Sequence, residues 1–86
     1  MEGKADASHV LELMENVLAD TTVPRNIRRA VDEAKAKLQK SLDSTNLGSA
    51  MYVLDDISND INMPPHTRTE IWTLISEMET LKEKVK

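Results

Sequence analysis

The sequence predicts an all-α fold, a compact four-helix bundle built from two repeated antiparallel helical hairpins. Three observations carry that expectation. Apolar residues recur at i, i+3 and i+4 in four separate stretches, the spacing that puts them on one helical face. No segment shows sustained β-branched alternation. The third is a joint written twice: "DTTVPRNIRRAV" at 20–31 returns as "DINMPPHTRTEI" at 60–71.

The first helix is expected over roughly 7–19, on a stripe of Val10, Leu11, Met14, Val17 and Leu18, with Asp6 or Ser8 capping its start. The second runs from about 24 to 41, on Ile27, Ala30, Val31, Ala34 and Leu38, with Pro24 in its first turn, where no intrahelical N–H is needed. The segment "LDSTNLG" breaks the pattern. The third helix follows over about 47–58, on Leu47, Ala50, Met51, Leu54 and Ile57. The fourth, over about 65–84, carries Ile71, Leu74, Ile75, Met78, Leu81 and Val85, and Thr67 with Glu70 has the spacing of a capping box. One domain over 1–86 results, with hairpin one at about 7–41 and hairpin two at about 47–84.

Shifted by forty residues, 10–38 and 50–78 match at Asp20/Asp60, Pro24/Pro64 and Arg28/Arg68 and keep their apolar phase. A period of about forty is that of HEAT-like helical hairpins. Two such hairpins are too few for an open solenoid, and two amphipathic hairpins close face to face instead. The repeated motif then reads as a structural clasp made of Asp20, Pro24 and Arg28, and again of Asp60, Pro64 and Arg68. In this reading each Asp ends one helix, each Pro begins the next, Thr22 and Asn62 cap, and each Arg reaches back to its Asp.

Composition narrows function by exclusion. The 86 residues include one Trp, one Tyr and no Phe, so the core is aliphatic. The net charge of −4 argues against general binding to a phosphate backbone, which needs excess positive charge. With no cysteine there is no disulfide, thiol nucleophile or Cys-based zinc site, which fits a cytoplasmic protein. No apolar run suits a signal peptide or a membrane span. His9 and His66 have no partner in a metal-ligand pattern, and Asp55 and Asp56 diverge by about 100° on a helix. Gly3 and Gly48 are the only glycines, which excludes a phosphate-cradling loop. The expectation is a protein that is not an enzyme, with no catalytic or metal-binding residues and no cofactor.

Two surface readings remain. Arg25, Arg28 and Arg29 crowd one helix start and form a candidate anion site, since a helix N-terminus offers free N–H groups. Asp32 and Glu33 follow Arg28 and Arg29 at i+4, the spacing of ion pairs that would partly neutralise them. Trp72 and Tyr52 stand where the other half has Asp32 and Glu12, and Arg68 precedes Trp72 by four residues, within cation–π reach. Arg68, Trp72 and Tyr52 make the candidate interaction face. The first expectation is therefore a module that binds a protein partner or a second copy of itself, a homo-oligomer included. The alternative is a nucleic-acid accessory protein that binds phosphate through Arg25, Arg28 and Arg29.

The stretches "DTTVPRNIRRAVDEAK" at 20–35 and "VLDDISNDINMPPHTRTEIWTLISEME" at 53–79 resemble the uncharacterised archaeal protein family UPF0147, and "LDDISND" followed by "MPPHTRTEIW" is the more specific part. The resemblance implies a small all-helical, single-domain archaeal protein and brings no catalytic residues with it.

Overall fold

A computed structural model describes residues 7–85. Four helices follow in order: α1 (Ser8–Ala19), α2 (Arg25–Lys40), α3 (Ser44–Ile57) and α4 (Pro65–Lys84). Each packs on two neighbours, α1 on α2 and α4, and α3 on α2 and α4, while the backbones of the diagonal pairs stay apart. Glu15 of α1 pairs with Lys35 of α2, and His9 of α1 lies 3.3 Å from Glu77 of α4. These contacts fix the helices as antiparallel neighbours in a square bundle of 38 × 21 × 20 Å.

The core is aliphatic throughout. Val10, Met14 and Val17 come from α1, Ile27, Val31, Ala34 and Leu38 from α2, Leu47, Ala50 and Leu54 from α3, and Ile71, Leu74, Met78 and Leu81 from α4. Leu11, Leu18, Met51, Ile57, Ile75 and Val85 pack against its edge. Because the helices alternate in direction, the connection 20–24 and the connection 58–64 lie at the same end. Each drives one apolar side chain into that end of the core, Val23 at 1% exposure and Met63 at 4%.

α3 begins at Ser44, three residues before the expected start, and Gly48 lies inside it. The reason is local. Asp43 is the N-cap and accepts from the Asn46 N–H at 2.8 Å, while Ser41 Oγ donates to Asp43 at 2.7 Å. Asn46 Nδ2 donates to the carbonyls of Lys37 and Ser41, both at 2.9 Å, which ties the start of α3 to the end of α2. The run "LDSTN" is thus a connection and a cap together, with Leu42 packed against the core.

Other local expectations also shift. Pro24 is the N-cap of α2 and lies outside its first turn. Ser8 is the first residue of α1 and Ala7 its N-cap, while Asp6 lies outside the described residues. The expected capping box in α4 is not made: Pro64 is the N-cap, and Thr67 is fully buried within the helix. Thr67 occupies the place that Ile27 fills in α2, forty positions earlier. Its hydroxyl and Oε1 of Glu70 are both shut off from solvent without a hydrogen-bond partner.

Candidate functional site

The two joints meet at one end of the bundle, and their chemistry follows from their sequence. In the first, Asp20 Oδ1 accepts from the Thr22 N–H at 2.9 Å and the Thr22 hydroxyl at 2.6 Å, an Asx turn that carries the chain out of α1. In the second, Asp60 Oδ1 accepts from the Asn62 N–H at 2.7 Å. Thr22 and Asn62 are therefore turn residues and not helix caps. The second oxygen of each carboxylate crosses to the other joint. Asp20 Oδ2 lies 3.0 Å from His66 Nε2, and Asp60 Oδ2 accepts from Asn26 Nδ2 at 2.8 Å. Asn26 and His66 are themselves corresponding positions, so the two exchanges mirror each other.

The expected pairing of each Arg with its own Asp carboxylate is replaced by bonds to backbone. Arg28 Nε donates to the Val23 carbonyl at 3.1 Å. Arg68 donates to the carbonyls of Ser58 at 3.2 Å and Asp60 at 2.7 Å, so it reaches Asp60 through the main chain. The cause is competition: the Asx turns and the crossing partners already occupy the carboxylates, while the carbonyls of Val23, Ser58 and Asp60 lie within reach of the guanidinium groups. The clasp residues are all present at the joint, but the clasp runs between hairpins as well as within them.

These bonds stabilise the ionised carboxylates. The Thr22 hydroxyl, His66 and the Thr22 N–H hold Asp20 down at about 2. The Asn62 N–H and the Asn26 amide lower Asp60, with the Arg68 charge adding to them. Asp43 is lowered by the Asn46 N–H and the Ser41 hydroxyl.

The candidate surface residues separate. Trp72 is 58% exposed and Tyr52 73%. Tyr52 borders a groove of about 460 Å³ between α2 and α3, which Trp72 on α4 does not line. Ala30, Val53 and Ile57, all half-buried, floor that groove, and Glu33, Asp56 and Tyr52 stand exposed along it. Asn26, Asn59 and Asp60 complete it toward the joints. Arg68 turns to the joint carbonyls, which takes its guanidinium out of the expected interaction face. Ile61, 90% exposed at the tip of the second joint, is a surface residue that the sequence reading passed over. Its signal was available, since the corresponding position in the first joint is the polar Thr21.

Arg25, Arg28 and Arg29 do share one shallow groove of about 470 Å³, together with Leu18 and Asp32. The expected ion pairs from Arg28 to Asp32 and from Arg29 to Glu33 are not among those of the described residues. Among the described residues no cluster of three or more His, Asp or Glu side chains has the geometry to hold a metal ion. No helix of the described residues is long and apolar enough to cross a membrane.

Comparison with known proteins places the chain in a family. The model of an uncharacterised protein family, UPF0147, matches residues 1–81. A UPF0147 protein of Methanocaldococcus jannaschii is 47% identical over 72 residues, covering 81% of this chain and 77% of its own. Another, of Archaeoglobus fulgidus, is 44% identical over 79 residues and covers 91% of both chains. The crystal structure of a protein of unknown function, MMP1188, superposes with a TM-score of 0.84 at 44% identity, covering 92% of this chain and 97% of that one. The structure of a UPF0147 protein from Thermoplasma acidophilum superposes with a TM-score of 0.80 at 36% identity, over 86% and 89% of the two chains. The chain therefore belongs to the UPF0147 family, and its four-helix bundle is the fold it shares with both of those solved structures.

Proposed function

We propose that this protein is a non-catalytic helical module that binds a protein partner, or a second copy of itself, through its outer surface. One observation carries the reading: neither aromatic side chain is used in the core. Trp72 and Tyr52 are both more than half exposed, while every buried apolar residue is Val, Leu, Ile, Met or Ala. Aromatic rings bring the largest contact area at low entropic cost, and Trp and Tyr are the residues that dominate binding energy at interfaces. Two hairpins read as copies of one unit, latched at a shared end, supply a rigid support for such a surface.

The test is capture of partners by the tagged chain from native lysate, with and without nuclease, beside Trp72→Ala and Tyr52→Ala forms. A stoichiometric protein partner that survives nuclease and is lost with either ring supports the reading. Partners that vanish with nuclease and depend on Arg25 and Arg29 would replace it with phosphate binding in the arginine groove, which loses affinity steeply with salt.

A further inference from the structure

We infer that the groove between α2 and α3 is a docking site for a cationic polypeptide segment, one that presents an apolar side chain to Ala30, Val53 and Ile57 and Lys or Arg to Glu33 and Asp56. This deepens the interaction reading above and rests on it.

Three features of the groove converge. Its lining carries three carboxylates, Glu33, Asp56 and Asp60, and no basic side chain. The groove is therefore more acidic than the protein as a whole, and a complementary partner is positively charged. Its floor is aliphatic, and Tyr52 stands exposed at its edge, which favours a polypeptide with apolar as well as charged groups over a bare cation. Its volume of about 460 Å³ has room for a few side chains.

The opening depends on residues that differ between corresponding positions of the two halves. Ala30 leaves the floor open, whereas Glu70, forty positions later, turns a longer side chain inward so that its Oε1 is buried. Tyr52 and Asp56 likewise correspond to Glu12 and Asn16. Ala30, Glu33, Tyr52 and Asp56, which give the groove its opening, charge and aromatic edge, thus differ between the two halves, while the Asp, Pro and Arg of each joint agree. Asp60 has its Oδ2 engaged by Asn26, so Glu33 and Asp56 are the carboxylates left to meet the ligand.

The test uses the full chain labelled with ¹⁵N and titrated with a synthetic amphipathic Lys/Leu peptide. A Glu/Leu peptide and free spermidine serve as controls. The expected result is saturable shifts at Ala30, Glu33, Tyr52, Val53, Asp56 and Ile57, with no such set from either control. The deciding variant is Ala30→Glu. It adds negative charge and fills the groove, so diffuse attraction to an acidic protein would hold or strengthen binding, while docking in the groove predicts at least a tenfold loss. Tyr52→Ala, at an exposed position, is the second variant and is expected to weaken binding without altering the melting temperature. Shifts spread over the whole surface, undiminished binding to Ala30→Glu, equal binding of spermidine, or no binding at all would each overturn the inference. Groove shifts that appear on concentration alone, with dimer in sedimentation, would reassign the groove to a second copy. A captured partner that depends on Trp72, with no peptide binding, would sink this inference and leave the general reading intact. Peptide docking beside a capture indifferent to both rings would do the reverse.

Discussion

Replacing Thr67 with Val should make the protein more stable. Thr67 is fully buried, and its hydroxyl has no hydrogen-bond partner. Protein mutational data put the cost of burying such a group at roughly 1–3 kcal/mol. Valine has the same branched shape with a methyl in place of the hydroxyl, and the two residues differ little in helix propensity. The full cost is therefore expected back, about 1–3 kcal/mol. For a domain of this size each kcal/mol moves the melting temperature by roughly 4–8 °C. Urea unfolding followed by helical circular dichroism reads the effect as a rise in midpoint at constant m-value. Thr67→Ser, which keeps the hydroxyl and deletes the methyl, should instead cost on the order of 1 kcal/mol. If Thr67→Val lowers the midpoint as much as Thr67→Ser does, the hydroxyl is making a bond and the reasoning fails. Glu70 would be the first place to look for its partner.

Four further outcomes follow from the helices and joints. Gly48→Ala should stabilise by about 0.5–1 kcal/mol, because glycine weakens a helix interior; an added Cβ meets nothing closer than Lys82 Nζ at 3.6 Å. Thermal unfolding would show it. Arg68→Met should cost about 1–3 kcal/mol by stripping charged donors from the carbonyls of Ser58 and Asp60, and more than Arg28→Met, which loses one bond to Val23. Asp20 is held at about 2, below its unfolded value, so its contribution is present above that unfolded value and is lost as pH falls from about 4 toward 2. Asp20→Asn should therefore lower stability at neutral pH and flatten the acid limb of a pH–melting profile. Asn26→Ala and Asp60→Ala should prove non-additive in a double-mutant cycle, as should Asp20 with His66, since each pair bonds directly across the hairpins.

The fold was legible because the apolar phase of each helix is set by burial, and the buried stripes of α2 and α4 are nearly those read from spacing. The start of α3 was not, because "DSTN" is polar whether it is loop or helix start. Whether Asp43 caps a helix or lies in a loop depends on where Lys37 and Ser41 leave their carbonyls. The joints were legible as joints, yet their pairing was not. Sequence spacing makes Arg28 and Asp20 look like partners, but Asp20 bonds locally to Thr22 and, 46 residues away, to His66. Only the antiparallel closure of the bundle brings Asp20 and His66 together. The surface divides in the same way. Tyr52 and Trp72 stood out because each replaces a charged residue in the other half, whereas the groove beside Tyr52 needs two helices side by side to exist.

Trp72 is the single tryptophan, so its fluorescence reports one place on the surface. The most direct test of the account is acrylamide quenching of Trp72 in the isolated chain across a dilution series, then again in complex with the captured partner. A ring readily quenched in the dilute monomer, as its 58% exposure requires, and shielded once a partner or second copy is bound is the expected result. A ring shielded even at the lowest concentration would mean that it packs into the bundle. The proposal that the aromatics are reserved for binding would then be contradicted.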